Sequence, residues 1–132
     1  RTPIGAVERG GVFELVDAAG VVVESSAERP VAAALIRAGD ADPDEAAFRS
    51  AAEVLDALPD ALAGRVDVIT ASTRDDVAFT IRDLGHRVVW GSAERSEYKT
   101  RVLEAAIATN DPAVRWQFDV SAPDSLIVRR LG

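Results

Sequence analysis

Tight turns between short apolar runs constrain this chain more than any other feature. Gly10-Gly11 separates residues 4–9 from Val12–Val16. A two-residue turn of that kind, in which both residues tolerate positive φ, joins antiparallel strands. Asp17-Ala18-Ala19-Gly20 turns the chain again into the β-branched run 21–24, so the first 24 residues read as a strand meander. A second group of strands follows later. Val66–Ala71 leads through Thr73-Arg74-Asp75 into Val77–Ile81, where Val77, Phe79 and Ile81 alternate with Ala78, Thr80 and Arg82 at the two-residue period of a strand. Asp83-Leu84-Gly85 then turns into residues 86–91.

Helical signals are fewer. Asp42 suits an N-cap, Pro43 the first helical position, and Asp44 and Glu45 the positive end of the macrodipole. Phe48, Ala51, Ala52, Leu55 and Leu58 recur on one face, which is expected to be buried, and Pro59 ends the helix. Residues 60–63 read as one further turn closed by Gly64. A second long helix is expected over 93–109, capped by Ser92 and stopped by Asn110-Asp111-Pro112, with Lys99, Val102, Leu103 and Ala106 on one stripe. The segment 31–37 after Pro30 reads as a short helix or an irregular stretch. Residues 115–120 and 125–130 form a last strand pair around Ser121-Ala122-Pro123-Asp124. The expectation is an α+β fold: a mainly antiparallel sheet built from hairpins, with two main helices packed on one face.

A length of 132 residues fits a single domain, 1–132, and an apolar fraction of 48% supplies a normal core. The net charge of −7 argues against a nucleic-acid partner, which calls for excess Lys and Arg, and against docking on anionic lipid. Nearly all basic residues are Arg, Lys99 being the one lysine, and with the high alanine content this suggests a GC-rich genome. The chain has no cysteine, which excludes disulfides and thiolate metal sites. It also has no methionine and is expected to be part of a longer polypeptide. No apolar run approaches the roughly 20 residues of a membrane helix.

Candidate chemistry is sparse. His86, the one histidine, has no identifiable nucleophile or orienting carboxylate beside it, and reads as an exposed turn residue. Asp40, Asp42 and Asp44 alternate like a calcium loop, but Glu45 stands where that loop needs glycine and Ala51 where it needs glutamate. Gly10-Gly11 lacks the Lys and Ser/Thr of a phosphate loop, and Gly91-Ser92 reads as a helix cap more readily than as an anion site. Trp90 and Trp116 lie within strand patterns and read as sheet-packing residues whose indole N–H groups need partners. No catalytic residue, cofactor or metal site is assigned.

The remaining feature is the apolar strand near the carboxy end. Ser125, Leu126, Ile127, Val128, Arg129 and Arg130 are candidates for an edge strand that accepts a strand from another protein. Leu126 and Val128 share one face, Ile127 and Arg129 the other. One face is expected to pack on a helix while the backbone rim stays open. Arg129 and Arg130 suit partner carboxylates. Replacing Ile127 by proline is expected to delete one backbone donor of that rim.

Five stretches, in order, resemble one family: Pro3-Ile4-Gly5-Ala6-Val7-Glu8-Arg9-Gly10-Gly11; Leu15-Val16-Asp17-Ala18-Ala19-Gly20-Val21; the central helix with Leu55 and Leu58-Pro59; Val88-Val89-Trp90-Gly91 with Lys99; and Asp119-Val120-Ser121-Ala122-Pro123. The chain resembles the extracytoplasmic β-domain of the bacterial division proteins FtsQ and DivIB, in the style of actinobacterial members. The resemblance implies a single-pass protein of the cell membrane. A transmembrane helix and a POTRA domain would precede this domain, which would sit on the extracytoplasmic side at the septum. It also implies a non-enzymatic divisome scaffold that binds FtsB (DivIC) and FtsL, with the six residues from Ser125 to Arg130 matching the strand that pairs with FtsB. Two readings compete. A small extracytoplasmic hydrolase or ligand-binding domain would need a pocket of convergent polar groups. A secretion or outer-membrane assembly module would carry a tandem POTRA array upstream.

Overall fold

A computed structural model describes residues 3–30, 33–38 and 46–131. Among them, nine strands form one sheet: β1 (Gly5–Arg9), β2 (Val12–Val16), β3 (Val22–Ser26), β4 (Leu35–Ala38), β5 (Val66–Ala71), β6 (Val77–Ile81), β7 (Arg87–Gly91), β8 (Trp116–Asp119) and β9 (Ile127–Arg130). The order across the sheet is β3-β2-β1-β4-β5-β6-β7-β8-β9. Three helices accompany it: α1 (Ala46–Ala57), α2 (Asp60–Ala63) and α3 (Ser96–Thr109).

The hairpins form where the turns direct them. Gly10 and Gly11 take φ of +57° and +82°, and β1 pairs antiparallel with β2 from Arg9↔Val12 to Gly5↔Val16. The pairs β2–β3, β5–β6, β6–β7 and β8–β9 are also antiparallel, while β1–β4, β4–β5 and β7–β8 are parallel. The sheet is thus mostly antiparallel, as the α+β expectation requires. The crossovers β4-α1-β5 and β7-α3-β8 step the same way across it. Right-handed crossovers then put both long helices on one face, where they touch.

The core lies between those helices and the sheet. α1 buries Ala47, Phe48, Ala51, Ala52, Val54 and Leu55, a stripe at helical spacing that packs on β4, β5 and β6. Ile36, Ile69, Phe79, Val88, Trp90, Leu103 and Phe118 belong to the same continuous cluster. At the β1–β4 junction, a Cβ on Gly5 would lie 2.9 Å from both the Ala34 carbonyl and Ile36 Cδ1, so a larger residue there forces its neighbours to shift.

Three expectations change. Part of 31–37 is neither a helix nor irregular: Leu35 begins β4, a central strand held parallel between β1 and β5. The second long helix begins at Ser96, not 93, and Ser92 does not cap it. Arg95 takes that position at φ 58° without a side-chain cap, and Ser92 Oγ accepts from the Glu94 N–H at 3.3 Å instead. The last strand pair is shorter than expected, because Pro123–Ser125 forms a 3-10 turn ahead of β9. The proposed cap Asp42, with Pro43, Asp44, Glu45 and the calcium-loop candidate Asp40, lies outside the described residues.

Candidate functional site

The strand β9 ends the sheet, and β8 fixes how it presents itself. Phe118 and Val120 are fully buried and anchor β8 in the core. The Val120 N–H donates to the Val89 carbonyl at 2.9 Å, and the Trp116 N–H to His86 Nδ1 at 3.1 Å. The even-numbered N–H groups of β8 therefore point toward β7. On the other side, Leu131 donates to the Arg115 carbonyl at 2.9 Å. Given the register Trp116↔Arg130 to Asp119↔Ile127, the alternation of an antiparallel ladder makes Ile127–Asp119 and Arg129–Gln117 its other hydrogen-bonded pairs. Val128 and Arg130 then turn their N–H and C=O groups away from the sheet.

This phase was not legible from residue types, and it corrects one expectation. The backbone donor of Ile127 is spent on β8. The outward donors of the rim belong to Val128 and Arg130.

The side chains of this rim are exposed on both faces: Ile127 by 60%, Leu126 and Val128 by 37% each, with Arg129 and Arg130 also exposed. No face of β9 is buried under a helix, contrary to expectation. Of the six candidate residues, Ile127, Val128, Arg129 and Arg130 form the strand; Ser125 closes the 3-10 turn and Leu126 links the two. That turn is held to the first turn of α3. Pro123 is buried, the Ser125 N–H donates to the Ala122 carbonyl at 2.8 Å, and the Tyr98 hydroxyl donates to Asp124 Oδ1 at 3.0 Å. The Tyr98 bond to Asp124, together with that carboxylate's charge, raises the phenol pKa. The Arg95 guanidinium lies 3.4 Å from Asp124. The strand therefore starts from a fixed point.

Behind the rim, two titratable groups are buried. His86 is 1% exposed, which overturns its reading as an exposed turn residue. The parallel strand β8 closes over it, so that Nδ1 accepts from Trp116 and the ring meets Phe118 edge-on at 5.2 Å. Burial, and secondarily the charge of Arg65, lowers its pKa below 6.5. Lys99 is also buried. Its Nζ donates to the Ser92 carbonyl at 2.8 Å and lies 5.9 Å from the Trp90 ring centroid. Burial lowers its pKa, Glu94 opposing the shift and Arg95 adding to it. Both tryptophans pack as expected and find partners: Trp90 Nε1 donates to Ser96 Oγ at 3.2 Å, Trp116 Nε1 to the Asp111 carbonyl at 2.9 Å.

The family defined as the C-terminal part of the cell division protein FtsQ/DivIB matches residues 5–122. The chain belongs to the FtsQ/DivIB family. It is 33% identical to the cell division protein FtsQ of Streptomyces bingchenggensis, over 93% of this chain and 48% of that protein. It is 34% identical to FtsQ of Streptomyces griseus, over 93% and 61%. With FtsQ of Mycolicibacterium smegmatis it shares 34% over 72% of this chain and 27% of that protein. These relatives are actinobacterial, as the resemblance implied. The chain spans about half the length of the curated Streptomyces relatives. No solved structure matches it significantly. The FtsQ/DivIB match ends at Ala122, so β9 lies just past it. Among the described residues, no helix is long and apolar enough to cross a membrane.

Proposed function

We propose that this chain, residues 1–132, is the single extracytoplasmic β-domain of a single-pass membrane protein at the division septum. A transmembrane helix and a POTRA domain would precede it. It acts as a non-enzymatic divisome scaffold. Partners of the FtsB/DivIC type, together with FtsL-type proteins, bind by adding a strand to β9. The observation that carries this reading is the rim itself: β9 pairs with β8 alone among the described strands, and its outward backbone groups fall at Val128 and Arg130. An added strand takes up those groups, exposed side chains at alternate positions supply selectivity, and Arg129 and Arg130 steer an acidic partner.

The hydrolase reading loses its centre. His86, its candidate, is buried against Phe118 with Nδ1 already engaged, and the cleft formed by Ala46, Arg49, Ser50, Glu53 and Arg74 does not include it. The test is calorimetric titration of Val128→Pro with the extracytoplasmic segment of an FtsB/DivIC-type partner. A loss of affinity with the fold intact supports strand addition at this rim. Unchanged affinity excludes it.

A further inference from the structure

Among the described strands, the sheet has a second rim without a neighbour, β3, at the end opposite β9. Its backbone phase follows from its neighbour. Val16 C=O accepts from Ile4 on the β1 side, whereas the Asp17 N–H donates to Val21 C=O on the β3 side. The odd-numbered residues of β2 therefore face β3. Leu15↔Glu24 and Phe13↔Ser26 are the hydrogen-bonded pairs, and Ser25, opposite Glu14, turns its backbone outward. Along this rim Val22 and Val23 are 41% and 43% exposed, and Glu24 is exposed beside them.

The two rims are complementary in charge and in phase. The β9 rim carries Arg129 and Arg130, while the β3 rim carries Glu24. An antiparallel ladder that pairs outward Val128 with outward Ser25 of another copy sets Arg130 opposite Val23. The same register sets Arg129 opposite Glu24, in a non-hydrogen-bonded pair, where facing side chains approach most closely. Pairing β9 with β9 would gather four arginines in one ladder. Pairing β3 with β3 would bring two glutamates together without a cation.

We infer that this chain associates with itself head to tail, β9 of one copy adding to β3 of the next with Arg129 facing Glu24. Such a contact is heterologous and leaves a free rim at each end, so it propagates rather than closing as a two-fold dimer. It is also weak. Two strands of four and five residues bury far less than the ~1,200 Å² of a stable interface, and the register shift at Leu15/Val16 twists the β3 edge. Dissociation constants are then on the order of 1 mM in dilute solution. Association competes with any partner strand for β9 but does not depend on that partner existing.

Charge reversal tests this without a partner. Glu24→Arg sets Arg against Arg in its own contacts, and Arg129→Glu sets Glu against Glu. In an equal mixture of the two variants, every β9–β3 contact between unlike copies is matched again. By sedimentation velocity at low salt, the parent chain is expected to gain mass with concentration. Each variant alone should associate at least tenfold more weakly, and the mixture should recover the parent behaviour. Circular dichroism of each variant monitors the fold. A parent chain that stays monomeric at millimolar concentration overturns the inference. So does a mixture of folded variants that fails to recover, or an Arg129→Glu variant that associates as well as the parent.

Discussion

Two neighbouring proline substitutions in β9 should have opposite consequences. Ile127→Pro removes a donor that the register commits to Asp119, leaving a carbonyl of β8 unpaired. A half-wet orphan of this kind costs about 1–2 kcal/mol. For a domain of this size that corresponds to a fall in Tm of roughly 3–8 °C. Val128→Pro removes a donor that faces solvent, and its cost should stay within about 0.5 kcal/mol. The order inverts for binding. An added strand loses one main-chain hydrogen bond at Val128→Pro, worth a net ~0.5–1.5 kcal/mol, and meets the pyrrolidine ring, so its affinity falls roughly three- to tenfold or more. Amide hydrogen exchange reads the same alternation in the unsubstituted protein. The Ile127, Arg129 and Leu131 amides should exchange slowly, the Val128 and Arg130 amides fast, and a bound partner strand should slow the latter two. Slow exchange at Val128 and Arg130 in the free protein would refute the assigned phase. So would a Val128→Pro variant less stable than Ile127→Pro.

Other perturbations act on the buried groups of the sheet. Because native His86 has a pKa below 6.5, the unfolded state binds a proton that the native state refuses. Stability should therefore be level above about pH 6.5 and decline as pH falls from there toward the lowered native value; urea midpoints at several pH values measure this, and His86→Gln should flatten the dependence. Phe118→Ala empties a fully buried position beside His86 and should cost about 3–5 kcal/mol by urea unfolding. Gly5→Ala forces a Cβ to within 2.9 Å of the Ala34 carbonyl and should cost roughly 1–3 kcal/mol, measured the same way.

What sequence pattern reveals here divides along the direction of strand pairing. Hairpins such as β1–β2 and β5–β6–β7 carry their own instructions, in glycine turns and alternating side chains, and were legible. Parallel contacts carry none. β4 is four residues, buried at Leu35, Ile36 and Ala38 and exposed at Arg37, too short a run for a two-residue period to announce it. His86 sits beside a hairpin turn, yet β8 arrives from thirty residues away to cover it. Ser92 has the chemistry of a cap, but its carbonyl is held by Lys99, and Trp90 takes Ser96 as its partner, so tertiary bonds move the helix start. At the rim, residue identity located the strand to within two residues. Which amides face outward depends on the neighbour's register, which no local pattern encodes.

The parallel junction between β7 and β8 also sets an order of assembly. β8 has nothing to pair with until α3 has crossed the sheet and returned, a loop whose entropy must be spent before any contact rewards it. β9 in turn can form only on β8. The β9 edge thus exists only in a molecule whose α3 crossover is already complete.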